Sequence, residues 1–324
     1  MCTAVSFLQG DQYFGRTLDL EYSYDETVTV TPRNYPFHFR GGAVLNNHYA
    51  LIGVAHVEEG YPLYYDAVNE KGLGMAGLNF PVSTRYGQPI PGKDNIASFE
   101  LIAWVLGRCA NLSEARRLLE RVNLTGDAFS EKFPPAPLHW MVADRSGSLV
   151  VECREGDVRL HENPIGVLAN EPPFPVQMWN LSRHMGLSAQ PIVNRMAPGV
   201  ELQTDSRGMG AMGLPGDLSS PSRFVRAAFV RHNSVCGGSE GERVSQFFHI
   251  LGSVTQPRGC VRVEGEKSVI TVYSSCCNTD KGIYYYKTYQ GSHVHAVDLH
   301  GENLDADRLS VYPMKEDWVP DLQN

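Results

Sequence analysis

Positive charge is in short supply. Lys and Arg together number 28 against 36 Asp and Glu, a formal net charge of −8 over 324 residues. The basic residues are scattered, so the electrostatic footprint of a nucleic-acid binder is absent, and an anionic ligand would have to be met by individual arginines. No apolar run approaches the roughly eighteen residues of a membrane span, and no basic segment followed by an apolar one precedes the first predicted strand. The expectation is a cytoplasmic protein with neither membrane nor nucleic acid as partner. The seven cysteines (Cys2, Cys109, Cys153, Cys236, Cys260, Cys276 and Cys277) are odd in number and form no C-x-x-C pair. That argues against a disulfide framework and against a structural zinc site. Repeats, low-complexity tracts and linkers are missing too, so one domain over residues 1–324 is expected. With 42% hydrophobic and 20% charged residues, there is ample apolar material for its core.

What is present begins at the second residue. Cys2 stands directly behind Met1, and a small second residue allows Met1 to be trimmed, which would leave thiol and α-amine on one residue. Those groups titrate near about 8.5 and about 7.7 to 8.0, close enough for one to serve as base to the other. Residues 2–8 alternate small or polar with apolar, and residues 12–17 form a second run behind Gly10-Asp11, which predicts a β-hairpin. The hairpin lays Arg16 and Asp19 beside the first residue, the cation favouring thiolate and the carboxylate orienting the amine. On these residues alone, an incidental cysteine and a surface ion pair remain an alternative.

Further along, residues 27–31 and 49–56 read as strands, 69–72 as a turn, and 73–80 as a glycine-rich strand ended by Pro81. Helical periodicity starts at Ser98, a candidate N-cap, and again at Ser113. Residues 138–143 and 148–153 flank the hairpin turn Asp144-Arg145-Ser146-Gly147, with short strands at 157–161 and 165–169. A second sheet is expected to start there. Residues 188–217 are rich in Gly, Pro and Met without clear periodicity, as in a functional or assembly segment. Ser220 as N-cap and Pro221 at the first helical position then open a helix, followed by a helical partner over 242–254 and strands over 268–273, 282–288 and 293–299. This order is compatible with an α+β fold of two stacked sheets with helices on both outer faces.

Several motifs taken together resemble the choloylglycine hydrolase family, and within it the bile salt hydrolases. They are Met-Cys-Thr at the start, Phe14-Gly15-Arg16-Thr17-Leu18-Asp19, Asn69-Glu70-Lys71-Gly72-Leu73, Ala76-Gly77-Leu78-Asn79-Phe80-Pro81, Leu138-His139-Trp140-Met141, Gly213-Leu214-Pro215-Gly216-Asp217 and Ser222-Arg223-Phe224. The resemblance runs from Met1 to about residue 310. It implies a four-layer αββα fold of the N-terminal nucleophile (Ntn) hydrolase type, in which the initiator is removed and Cys2 attacks an amide carbonyl. It puts Arg16 on the thiol side, Asp19 on the amine side, Asn79 and Asn170 at the oxyanion hole, and Arg223 at the remaining polar position. No metal or organic cofactor is implied. One departure is the segment Ala169-Asn170-Glu171-Pro172, which sets a carboxylate beside Asn170 where many relatives carry Asn or Ser.

The resemblance also implies conjugated bile salts as substrate. Penicillin V acylases, the competing branch, commonly carry tyrosine where this chain has Asn79. Leu18, Leu20 and Phe133 are candidates for the steroid wall, with burial in an ordinary core as the alternative. Ser206-Arg207 resembles the form found in taurine-preferring members, with a solvated loop arginine as its alternative. The 188–217 segment resembles the arm with which relatives build homotetramers. His139 and His249 lie in apolar elements and read as satisfied histidines. Cys276-Cys277 reads as strand packing, because adjacent strand residues face opposite ways. A reading of another class is a non-catalytic ligand-binding protein in which Met1 is retained.

Overall fold

The computed structural model describes residues 1–291, 293–318, 320 and 322–324. The opening hairpin pairs β1 (Cys2–Gln9) with β2 (Asp11–Leu20) across Gly10, whose φ of 69° suits a residue without a side chain. Directly opposed residues of an antiparallel pair share a face. Cys2 opposes Leu18 and Ala4 opposes Arg16 on one face, while Thr3 opposes Thr17 on the other. Period-two alternation therefore sends Cys2 and Arg16 one way and Thr3, Thr17 and Asp19 the other.

Next come β3 (Thr27–Thr31), the short pair β4 (Phe37–His38) and β5 (Val44–Leu45), and the meander β6 (Leu51–Glu58), β7 (Tyr61–Asn69) and β8 (Gly74–Asn79). After β9 (Asp94–Ala97) a 3-10 turn at Ser98–Glu100 enters α1 (Leu101–Arg108), then α2 (Leu112–Leu119), and β10 (Val122–Thr125) returns parallel to β9. The strands β11 (Leu138–Asp144), β12 (Gly147–Arg154), β13 (Asp157–Glu162) and β14 (Val167–Leu168) precede α3 (Phe174–Ser182). Beyond the irregular 188–217 segment, relieved only by a 3-10 turn at Met209–Ala211, lie α4 (Ser220–Asn233) and α5 (Glu240–Gly252). The strands β15 (Ile270–Asn278), β16 (Ile283–Thr288), β17 (His295–Asp298) and β18 (Ser310–Pro313) follow.

Apart from the pairs β4–β5 and β9–β10, the strands form two antiparallel sheets, ordered β14-β1-β2-β15-β16-β17 and β13-β12-β11-β8-β7-β6-β3-β18. One core cluster holds the space between the sheets and continues under α4 and α5, with Phe14, Ile52, Leu78, Phe224 and Phe247 among its members. A second fills the gap between the outer face of the eight-stranded sheet and α1 and α2, around Trp104, Trp140 and Leu149. Helices thus cover both outer faces of a two-sheet sandwich, the αββα arrangement. Gly74 leaves room for the Phe14 ring between the sheets: a Cβ there would come within 2.7 Å of it.

Several expectations are corrected. The 138–153 hairpin does not open a second sheet; β11 pairs with β8, Leu138 opposite Asn79, so α1 and α2 form an excursion over the outside of one continuous sheet. The opening hairpin is flanked by β14 on its β1 side and, on its β2 side, by β15 from the far end of the chain. Strand β7 was hidden by Pro62 and by Asp66, a charge in a core position, and α3 by a run of prolines and a buried face of only Phe174 and Gln177. The pairs β4–β5 and β9–β10 and the strand β18 were not foreseen either. Ser98 lies inside a 3-10 turn, and α2 starts at Leu112 because the Asn111 side chain accepts from Glu114 N. Helix α4 begins at Ser220, so Pro221 is its second residue. Helix α5 starts at Glu240, its end closed by the reciprocal Ser239–Glu242 capping box. The β15 strand runs on to Asn278, and burial of Cys276 and Cys277 inside it pushes both thiols up.

Candidate active site

The first residues of β1 lie where four segments meet: the end of β2, the end of β8, the stretch after β14 and the first turn of α4. Met1 extends the hairpin by one residue, its N donating to Asp19 O at 2.5 Å and its O accepting from Asp19 N at 2.9 Å. The Cys2 main-chain N donates to Asn170 Oδ1 at 2.8 Å. That oxygen also accepts from Arg223 Nη2 at 2.6 Å, while Asn170 Nδ2 donates to Asn79 O at 2.7 Å. Two donors on one atom and an acceptor on the other fix the orientation of the Asn170 amide. The second hydrogen of Nδ2 is left for another acceptor. Arg223 Nη1 donates to Cys2 O and to Thr3 Oγ1, both at 2.6 Å. Cys2, Arg16, Asp19, Asn170 and Arg223 are buried, and Asn79 is half-buried at the end of its strand.

Arg16 crosses from one sheet to the other. Its Nη1 donates to the carbonyls of Tyr65 and Gly77, on β7 and β8, and its Nε to Thr17 O. Nη2 has no hydrogen-bond partner among the described residues. Burial would pull this guanidinium down, but the acidic groups around it, Cys2 first and then Tyr273, Asp66 and Asp19, raise it above its ordinary value. On the other face, Asp19 accepts from Thr271 Oγ1 at 2.7 Å and Thr17 Oγ1 at 3.2 Å. Burial pushes Asp19 up, against Arg223, the chain's amino terminus, the Thr271 bond and Arg16. The Arg223 guanidinium is lowered by its own burial, Asp19 and Cys2 acting the other way.

A supporting set of residues was not anticipated. Ser220 Oγ accepts from Asn170 N at 2.8 Å, which places α4's first hydroxyl on the loop instead of on the helix end. Gln177 Nε2 bonds the Glu171 carbonyl. The Glu171 carboxylate turns away from Asn170 and accepts from Val82 N, Ser83 N and Ser83 Oγ at 2.7 to 3.0 Å, tying the turn after Asn79 to the loop carrying Asn170. His139 is a buried histidine, with its Nε2 2.8 Å from Ala169 O and its ring stacked on Phe80, but it is satisfied on one side only, Nδ1 having no hydrogen-bond partner among the described residues. The sequence signal for Glu171 was its departure from the commoner residue; Ser220 and Gln177 gave none.

The remaining candidate residues are placed as follows. Leu18 is buried in the core beside Cys2, and Leu20 packs half-buried on its margin. Phe133 packs on His56 and Phe129. Ser206 and Arg207 are exposed on the irregular segment, and Ser206 Oγ donates to Asp205 Oδ1. Among the described residues, no group of three or more His, Cys, Asp or Glu side chains is arranged to hold a metal ion, and no helix is long and apolar enough to cross a membrane.

Residues 2–312 match the family described as linear amide C–N hydrolases, choloylglycine hydrolase family. The chain belongs to the choloylglycine hydrolase family. It is therefore an amide C–N hydrolase, and its αββα sandwich is the Ntn hydrolase fold. Among choloylglycine hydrolase relatives, a bile salt hydrolase/transferase of Lactiplantibacillus plantarum is 48% identical over 317 residues, 98% of both chains. Another of Clostridium perfringens is 37% identical, with 96% of each chain covered. The crystal structure of a conjugated bile acid hydrolase from Clostridium perfringens superposes with a TM-score of 0.92 at 35% identity, covering both chains fully. A penicillin V acylase from Agrobacterium tumefaciens shares the fold, with a TM-score of 0.76 at 19% identity over 96% of this chain and 90% of the other.

Proposed function

We propose that this protein is a bile salt hydrolase that cleaves the amide bond of glycine- or taurine-conjugated bile acids, with Cys2 as nucleophile after removal of Met1. The observation that carries the reading is the bond from Cys2 N to Asn170 Oδ1 at 2.8 Å. Loss of Met1 turns that nitrogen into a free α-amine already oriented by Asn170, and it uncovers the Asp19 peptide groups that Met1 occupies. The names of the relatives supply the substrate class.

In this mechanism the α-amine takes the thiol proton, and Arg16, on the same face of the hairpin, stabilises the thiolate. Sulfur bonds to the amide carbon, and the oxyanion is held by the Asn79 N–H and by the free hydrogen of Asn170 Nδ2. Each such donor is worth roughly 2.7 to 4 kcal/mol of barrier. As the C–N bond breaks, the leaving glycine or taurine nitrogen receives the proton from the α-ammonium, leaving a thioester. The amine then takes a proton from water, hydroxide attacks the thioester, and the C–S bond breaks to return the thiol and free bile acid. Asp19 holds the amine's orientation, and Arg223 ties Cys2 O to Asn170. No cofactor takes part.

Assays of amine release from taurocholate, glycocholate and penicillin V test the assignment. Strong turnover of the bile salts is expected; penicillin V turnover alone would point to the acylase reading. In the same reading Leu18 and Leu20 border the steroid, Phe133 contributes from its aromatic cluster, and Arg207 meets the sulfonate of taurine conjugates. Arg207→Ala is expected to lower the taurocholate-to-glycocholate rate ratio, and an unchanged ratio removes the assignment. Exposed Val193, Met196, Val200, Leu202 and Met212 on the irregular segment support its use as an assembly arm in a homotetramer, to be checked by sedimentation.

A further inference from the structure

Between the sheets lies a buried carboxylate that the mechanism above does not use. Asp66, in the middle of β7, is 1% exposed. It accepts from Tyr273 Oη at 2.6 Å, from Tyr284 Oη at 2.5 Å and from Ser275 Oγ at 3.2 Å, three hydroxyls contributed by the opposite sheet. The Ser275 hydroxyl also accepts from the main-chain N of Arg16 at 3.1 Å. Arg16 makes the reverse crossing and bonds the carbonyl of Tyr65, the residue before Asp66. The two charges are thus laced across one intersheet space. Among the described residues, every hydrogen bond to the Asp66 carboxylate comes from a hydroxyl and every side-chain bond of Arg16 goes to a carbonyl, so the two charges attract through space.

We propose that Asp66 is a positioning residue for catalysis: its ionised carboxylate partly neutralises Arg16 and so sets the pH at which the Cys2 thiol ionises. The inference rests on the reading of Cys2 as the nucleophile. An uncompensated guanidinium beside Cys2 would hold the sulfur as a more stable and less nucleophilic thiolate, because nucleophilicity falls as the thiol's acidity rises. A fixed counter-charge behind Arg16 moderates that field. Burial pushes the Asp66 carboxyl up, while Arg16 and the three hydroxyl donors favour its ionised form. Other titratable or charged groups around the pair are Asp19 on β2, Tyr65 on β7, Tyr273 and Cys277 on β15, Tyr284 on β16 and Arg223 on α4. Burial raises Tyr65, Tyr273, Cys277 and Tyr284, which keeps them neutral at working pH.

The test is the pH dependence of Cys2 alkylation by iodoacetamide in the processed protein, read from the mass of its N-terminal peptide. Cys236 and Cys260, the thiols that are not buried, then do not interfere. In Asp66→Asn the midpoint is expected to move to lower pH by about half a unit or more, since a negative charge near the thiol has been removed. Asp66→Ser also removes the charge and leaves room for water among the three hydroxyls, so it decides the matter if the asparagine variant does not fold. A midpoint that stays put or rises in either folded variant overturns the proposal. Turnover by Cys2→Ser is measured separately. If that variant remains active the nucleophile reading fails, whereas an unmoved midpoint alongside an inactive Cys2→Ser sinks only the role of Asp66.

Discussion

Cys2, Arg16 and Asp19 become neighbours through nothing more than a tight hairpin and the two-residue period of its strands. Arg16 shares a face with Cys2, while Asp19 opposes Thr271 on the helix-facing side. These three were therefore legible in the sequence as local geometry. Asn79, Asn170 and Arg223 were legible only through the family resemblance, because their contacts with the first residues span up to 221 positions along the chain. Two predictions belong at this scale. Cys2→Ser is expected to abolish hydrolysis while leaving the circular dichroism spectrum unchanged. Asn170→Ala should lower kcat by roughly a hundredfold or more, the loss of one oxyanion donor. It also leaves Arg223 and the Cys2 nitrogen without their shared acceptor.

At the scale of elements, the 169–172 loop is held by partners from four directions: Ser220 from α4, Gln177 from α3, His139 from β11 and, through Glu171, the 82–83 turn. None of these pairings has a local signature, which is why α3 carries no helical signal in the sequence and α4 starts at Ser220, the residue expected to cap it, while the strands around them were legible. The misreading of Ser220 is instructive. A serine before proline looks like a helix cap, yet its hydroxyl accepts from the Asn170 main chain. Glu171 fixes the spacing between the two proposed oxyanion donors, so Glu171→Ala is expected to lower kcat about tenfold or more with little change in KM, about 1.4 kcal/mol of transition-state stabilisation. A rise in KM alone would assign Glu171 to substrate binding instead.

Over the whole molecule, the αββα layering was implied by the family resemblance and agreed with the order of helical and extended periodicity, but the sheet pairing was not legible. The six-stranded sheet joins β1 and β2 to β15, β16 and β17, and the eight-stranded sheet takes in both β3 and β18; such long-range registers are set by complementary buried faces that no single segment displays. Its interior polar groups also shape the response to acid. Burial would raise Glu152, but His139 and His161, 3.7 and 3.6 Å away, and the Phe174 N–H hold it down at about 2 against an ordinary value of 4.5. A carboxylate depressed by folding contributes stability that is present above pH 4.5 and is lost as pH falls towards about 2. Urea midpoints measured across that window should therefore fall less steeply for Glu152→Gln than for the parent, with the variant the less stable of the two near pH 5. Equal slopes would show that Glu152 carries no such charge.

The central claim, that an unmasked Cys2 forms the acyl intermediate, is tested most directly by rapid acid quench of the enzyme with taurocholate, followed by mass analysis of its N-terminal peptide. The prediction is a peptide that lacks Met1 and carries the cholyl group on Cys2. Turnover by a chain that retains Met1, or a cholyl group attached elsewhere, would contradict it.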